Sequence, residues 1–208
     1  MPRPRQAPLH PRKSPVQARS TASVNAILEA TIQVLLDIGK ERLTTTRVAY
    51  RAGVSVGTLY QYFPNKSALL QAVLRNHLES VAEALEKVCR EEKGRPLPQM
   101  VTRVVNTFLE AKMKDLKTSI ALYSVSSDVD GLRIAKEVGA RVNKAVVSML
   151  ASAPQPLGKD SQLVASVIQG AMAGVSRRLL ESTSPEKQYK PLSEELVLMM
   201  RAYLVARS

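Results

Sequence analysis

An all-α fold is predicted for this chain of 208 residues by three observations. Apolar residues recur at spacings of three and four along nearly its whole length, the period of a helix with one buried face. No segment alternates apolar and polar residues as a half-buried strand would. The breaks between periodic segments carry residues that end and open helices: Gly39, Ala52-Gly53-Val54-Ser55, Pro64-Asn65, Gly94 with Pro96, and Ala153-Pro154-Gln155-Pro156. A hydrophobic content of 45% is enough to bury a sizeable core in one domain or two small ones.

The first 22 residues carry Arg3, Arg5, Arg12, Lys13 and Arg19, no acid, and five of the twelve prolines. They are expected to form a flexible basic arm, either a solubilising tail or a strand that tracks a polyanion backbone. With no apolar core segment the arm is not a secretory signal, and no run of 18 apolar residues occurs, so a cytoplasmic chain without a membrane partner is expected.

The first helix is predicted over Val24 to Ile38, with Ile27, Ile32, Val34, Leu35 and Ile38 as its apolar positions and Gly39 as its stop. Two short helices follow. Thr44 is a plausible N-cap for a helix with Val48, Ala49 and Ala52 inward, Gly53 can take the left-handed conformation that ends it, and Ser55 caps the next. So short a turn sets the two helices at a steep angle, the geometry of a helix-turn-helix. In the second of them Leu59 and Phe63 share one face, while Thr58, Gln61 and Tyr62 lie on the other. Tyr60, Tyr62 and Phe63 are three of only eight aromatic residues, and Tyr62 cannot share the inner face with Phe63, so at least one ring faces solvent or a partner. Periodicity puts Val56 on the Leu59/Phe63 side, which competes with an outward, base-reading position. Asn65 and Lys66 open the next helix after Pro64.

Thr44, Thr45, Val48, Ala49, Ala52-Gly53-Val54-Ser55, Gly57-Thr58-Leu59-Tyr60, Phe63, Lys66 and Leu69-Leu70 together resemble the amino-terminal domain of TetR-family transcriptional regulators, over roughly Val24 to Leu74. The resemblance implies that Ser55 to Phe63 is the recognition helix in the major groove. It places Thr46, Val56 and Gly57 near base edges, and Thr45, Thr58, Tyr60, Tyr62 and Lys66 near phosphates; Arg47, Ser55 and Gln61 complete the candidate DNA-binding set. The chemistry agrees: Gly57 allows close backbone approach, Val56 suits a thymine methyl, and hydroxyls and Lys66 suit phosphate oxygens. The net charge of +12 and pI near 10.0 fit a polyanion, and residues 1 to 80 are its basic end, with eleven Lys+Arg against four Asp+Glu.

The domains expected are thus an arm over 1–22, a three-helix DNA-binding domain over 23–70, and a larger helical ligand-binding and dimerisation domain over 71–208. A long helix runs from Lys66 through Leu69, Leu70, Val73, Leu74, Leu78, Val81 and Leu85 toward Cys89. Further helices are expected at about Pro98 to Leu116, Thr118 to Ser126, Asp130 to Ser152, Asp160 to Ser182 and Ser193 to Arg207.

Gly170, Ala173 and Gly174 are small enough for a partner helix to approach, or for tight packing within one subunit, and Leu196, Met200, Tyr203 and Leu204 recur at helical spacing. The resemblance implies that these last two helices form a four-helix homodimer interface, and a two-fold pair would double the few base contacts that one short helix offers. It also implies an effector pocket between the middle helices, for which Phe108, Met113, Leu116, Tyr123, Met149 and Met172 are candidates. The partners expected are a double-stranded DNA operator, a second copy of the chain and a small-molecule effector whose chemistry the sequence does not reveal.

Enzymatic readings find little support. Cys89 is the single cysteine and reads as a core residue, and His10 and His77 have no metal spacing. No P-loop, zincin helix, nucleophile elbow or paired-carboxylate motif occurs, and no cofactor is expected. Architectural, sequence-independent DNA binding stays open, because +12 of charge supports it without base readout.

Overall fold

The computed structural model describes residues 15 to 155, 157 and 161 to 207, with side chains described from Ser20 onward. Among the described residues nine α-helices occur in this order: α1 Pro15–Arg42, α2 Thr45–Ala52, α3 Val56–Tyr62, α4 Lys66–Glu91, α5 Leu97–Met113, α6 Leu116–Val125, α7 Gly131–Leu150, α8 Ser161–Leu180 and α9 Pro185–Val205, with a 3-10 turn at Ser126–Val129 between α6 and α7. There is no strand among the described residues. The chain divides into two compact units, one ending at Leu69 and one beginning at Leu70, so that α4 carries the chain from the first into the second.

In the first unit, α1 and α2 pack together and α2 packs on α3. Ile27, Val34, Leu35, Leu43, Val48, Ala49, Leu59, Phe63 and Leu69 form its core. Thr31 is also buried, and its hydroxyl donates to the Ile27 carbonyl at 2.7 Å, which satisfies the polar group within its own helix. Gly39, at φ 75° and ψ 171°, interrupts α1 where the sequence marks its stop, a conformation that glycine adopts without the Cβ penalty.

The start of α1 differs from expectation. The helix begins at Pro15 rather than Val24, so residues 15 to 22, assigned above to the arm, are helical; the remainder of the arm lies outside the described residues. Proline is preorganised for a first helical position, where its missing N–H costs no hydrogen bond. The segment Ser20–Arg42 has the length and, in its most apolar stretch, the mean hydropathy (1.3) of a membrane span. Its apolar face, however, is the one that Ile27, Ala30, Val34 and Leu35 bury in the first unit.

The second unit is a helical bundle in which α5 lies along α9, α7 along α8, and α8 along α9, with α6 packed on α5 and α8. Leu97, Met100, Val101, Val104, Val105 and Leu109 of α5 and Ile134, Val138, Val142, Val146, Met149 and Leu150 of α7 form two buried stripes at helical spacing. The junction before α7 is tight: Asp130 takes a left-handed conformation (φ 55°), and a Cβ at Gly131 would stand 2.6 Å from the Ser126 carbonyl oxygen. Exposed ion pairs bind α7 to α4, Arg75 to Glu137 at 2.6 Å and Arg141 to both Glu79 and Glu86.

The last helix also starts earlier than the sequence suggests, at Pro185 rather than Ser193, and contains Pro191. An interior proline forfeits a helical hydrogen bond. Here packing of α9 along α5 and α8, with Pro185, Leu196, Met200 and Leu204 buried, outweighs that local cost.

Candidate nucleic-acid interface and effector cavity

The helix-turn-helix is built by caps. The Thr44 hydroxyl accepts from the Arg47 amide at 3.3 Å, and Gly53, at φ 67° and ψ 28°, closes α2 with its amide donating to the Tyr50 carbonyl. Ser55 accepts from the Thr58 amide at 2.9 Å and shares a 2.8 Å hydrogen bond with the Thr58 hydroxyl. The Thr45 and Tyr60 hydroxyls meet at 3.0 Å, joining the start of α2 to the middle of α3. Leu59 and Phe63 face inward, and Asn65 caps α4 by accepting from the Ala68 amide at 2.8 Å.

None of the expected DNA-binding residues is buried in this unit. Thr46, Arg47, Ser55, Val56, Gly57, Tyr60 and Gln61 are exposed, and Thr45, Thr58, Tyr62 and Lys66 are half-buried. Val56 is 36% exposed and so is not sealed on the inner face: as the first residue of α3 it precedes the turn in which Leu59 becomes buried. A Cβ at Gly57 would meet only the Ser55 hydroxyl, at 3.7 Å, so this position opens to the outside.

Two cations hold more than the sequence suggests. The Lys66 ammonium donates to the Lys40 carbonyl, closing the end of α1, and the Arg47 guanidinium donates to the Arg42 carbonyl at 3.3 Å. Arg51 is committed to Gln33 at 2.7 Å and to Asp37 at 3.6 Å. One residue was missed altogether: Tyr50 is 89% exposed on α2. Its signal was available, because at about 100° per residue it falls off the Val48/Ala49 inner face.

The second unit holds a partly open cavity of about 380 Å³. Leu78, Val81, Ala82 and Leu85 of α4 line it at helical spacing, facing Phe108 and Lys112 of α5, Tyr123 of α6, Val138 and Val142 of α7, and Gln169, Met172, Ser176 and Arg177 of α8. A second cavity of about 390 Å³ adjoins it, sharing Leu78, Lys112, Tyr123, Ala135 and Leu180 and adding His77, Ser119 and Leu122. Of the expected pocket residues, Phe108, Tyr123 and Met172 line the first cavity. Met149 is buried in the core, and neither Met113 nor Leu116 lines either cavity. Those three were chosen as apolar residues at helical spacing, a pattern the ordinary core also has.

The polar groups around the cavities are unevenly satisfied. The Tyr123 hydroxyl donates to Glu181, which raises the phenol pKa. A chain of amides crosses from α8 to α7 and back: Gln162 donates to Asn143 at 2.6 Å, Asn143 to Gln169 at 3.0 Å, and Gln169 to the Gly139 carbonyl at 3.1 Å. Burial, reinforced by the nearby Lys112 charge and opposed by Asp115, lowers the His77 pKa to about 4. Burial lowers the Lys112 pKa to about 8. Cys89 is buried and pushed up to about 11 by that burial, as befits an inert core thiol.

At the carboxyl end, Leu196, Met200 and Leu204 are buried within the chain itself, so the expectation that they face a partner is corrected: their spacing marks the inner stripe of α9. Tyr203 is half-buried, its ring 5.6 Å from the Arg207 guanidinium carbon. The outward apolar residues of α9 are Leu198, Met199 and Val205, and those of α8 are Leu163 and Val167. Gly170, Ala173 and Gly174 are exposed, and a Cβ at either glycine would meet nothing within 4 Å, so neither serves tight packing inside the subunit.

Residues 27–73 match the family model of bacterial regulatory proteins of the tetR family, and residues 96–204 match the tetracyclin repressor-like C-terminal domain. The chain is 29% identical over 119 residues to the HTH-type transcriptional regulator BetI 1 of Chromohalobacter salexigens, covering 55% of this chain and 58% of that protein. It is 32% identical over 116 residues to the nucleoid occlusion factor SlmA of Haemophilus ducreyi, covering 53% and 56%. It therefore spans a little over half the length of these curated relatives. Among solved structures, a TetR-family transcriptional regulator from Mesorhizobium loti superposes with a TM-score of 0.70 at 19% identity, over 90% of this chain and 98% of that one. The transcriptional regulator FadR from Bacillus subtilis, in complex with stearoyl-CoA, does so with 0.62 at 16% identity, over 85% and 96%. Such low identities speak for the fold alone. Since one family model covers the helix-turn-helix and a second covers more than half of the chain, the chain belongs to the tetR family of bacterial regulatory proteins.

Proposed function

We propose that this chain is a cytoplasmic, sequence-specific DNA-binding transcriptional regulator, a repressor that binds a palindromic operator as a homodimer and is released by a small-molecule effector. The observation that carries the DNA reading is the start of α3, where Val56 is exposed and Gly57 open, with the exposed hydroxyl-bearing residues Ser55 and Tyr60 on the same short segment. Backbone approach at Gly57 would seat the helix in a major groove while the hydroxyls fix its register on phosphates.

The homodimer reading rests on the uncovered apolar residues of α8 and α9, which flank the open Gly170 and Gly174. Two copies joined there would present two recognition helices to successive major grooves, about 34 Å apart. Effector release rests on the apolar cavity of the second unit, which four residues of α4 line although the same helix begins in the DNA-binding unit. An occupant that favours one conformation over another would shift the dimer away from its operator-matched form.

Selection of bound duplexes from a random pool tests the whole reading, and a palindrome is the expected result. Gly57→Leu should lower affinity for the selected site by about 100-fold, or about 2.7 kcal/mol, with an unchanged melting temperature. Wild-type footprinting by that variant would remove α3 from the groove. The second reading, sequence-independent DNA coating, draws on the +12 charge and on the likeness to a nucleoid occlusion factor. Random duplex competing as well as the selected site would favour it.

A further inference from the structure

We propose that the cavity of the second unit takes an elongated apolar molecule ending in a single carboxylate, with Lys112 as the group that pairs with that carboxylate. This rests on the reading of the cavity as an effector site and names the chemistry of its ligand.

The cavity walls are apolar where they face one another, with Leu78, Val81 and Leu85 across from Phe108, Val142 and Met172. Into this lining the chain introduces one primary amine. Lys112 lies on α5 four residues after Phe108, and it borders both adjoining cavities. No carboxylate among the described residues stands within ion-pair distance of its Nζ, and no hydrogen bond engages its ammonium. Acids on or next to the lining helices are committed elsewhere. Asp115 caps α6 by accepting from the Thr118 amide at 3.1 Å, Glu181 accepts from Tyr123, and Glu137 pairs with Arg75 and Arg133.

A part-buried cation without a counter-ion costs stability, and burial already holds this amine near the limit of remaining charged at neutral pH. A ligand carboxylate would supply the missing charge and accept its N–H donors. The only other cation on the lining, Arg177, is exposed, and His77 is held neutral. One interior positive charge suits a monoanion better than a doubly charged phosphate. The size fits as well, because the cavities of about 380 and 390 Å³ are within the range of small-molecule sites.

The test is calorimetric titration of the full chain with decanoate and with decan-1-ol, which share a chain length and differ in the charged end. The expected result is one decanoate per chain, bound about tenfold or more tightly than the alcohol. Lys112→Met should lose that preference while melting at least as high as the wild type, since it removes a half-buried amine without a counter-ion, and Lys112→Arg should retain it. Equal affinity for the two ligands, no decanoate binding at millimolar concentration, or an intact preference in Lys112→Met would each overturn the proposal. Operator affinity measured on the same samples separates the two claims. Decanoate bound through Lys112 without any change in operator affinity supports the ligand chemistry and removes only the effector reading.

Discussion

The helix-turn-helix and the bundle achieve rigidity by different means. The helices α2 and α3, of eight and seven residues, bury Val48, Ala49 and Leu59, and are held by Thr44, Gly53 and Ser55 at their ends and by the Thr45–Tyr60 hydrogen bond between them. The helices α5 and α7, of 17 and 20 residues, bury six and seven side chains, and α5 begins with no side-chain cap at all. A short helix is unstable alone, so one anchor and one cap decide whether α3 exists, whereas a long packed helix distributes the same task over many contacts. Local chemistry thus specifies the surface proposed to meet DNA, and packing specifies the cavity.

The sharpest way to break this contrast is Leu59→Ala. It removes the only fully buried side chain of α3 and should destabilise the first unit by about 2–5 kcal/mol, abolishing operator binding while the second unit keeps its decanoate affinity. Loss of both activities together in a melting and binding series would show that the units are not separable. A smaller effect is expected for Ser55→Ala, about 1 kcal/mol by thermal melting, from loss of the hydrogen bond to the Thr58 amide. An unchanged melting curve would mean that α3 does not depend on its cap.

The smallest effect at neutral pH concerns the bundle. His77 has its folded-state pKa lowered to about 4 from 6.5, with Ser119, Lys112 and Asp115 the polar groups around it. Between those values the unfolded chain binds a proton that the folded chain refuses, so stability present above about pH 6.5 is lost as the pH falls toward 4. His77→Leu should flatten that limb of the stability profile in denaturant titrations. An identical slope in the variant would assign the acid sensitivity to other groups.

This difference between the units also explains what could be read beforehand. The caps Thr44, Ser55 and Asn65, the stop at Gly39 and the inward Leu59 and Phe63 are local, and the sequence states each of them within four residues. The cavity is drawn from five helices, so an apolar residue such as Met172 that lines it and one such as Met149 that lies in the core have the same sequence signature. Leu196, Met200 and Leu204 show the same limit, because a periodic stripe says that a face is covered without saying by what. Lys112 was overlooked for the opposite reason: a lysine on an amphipathic helix ordinarily stands free in water, and only the surrounding helices set this one half-buried against the cavity lining. The early starts of α1 and α9 follow from proline, which signals a break in mid-helix and a beginning at the first turn.

The amide chain from Gln162 through Asn143 and Gln169 to the Gly139 carbonyl has a mechanical implication. Each donor has one acceptor at a fixed step along the neighbouring helix, so α8 cannot creep along α7 without orphaning several groups at once. Movement there is a matter of discrete notches, and because Gln169 also touches the cavity, whatever occupies that space has a hand on the ratchet.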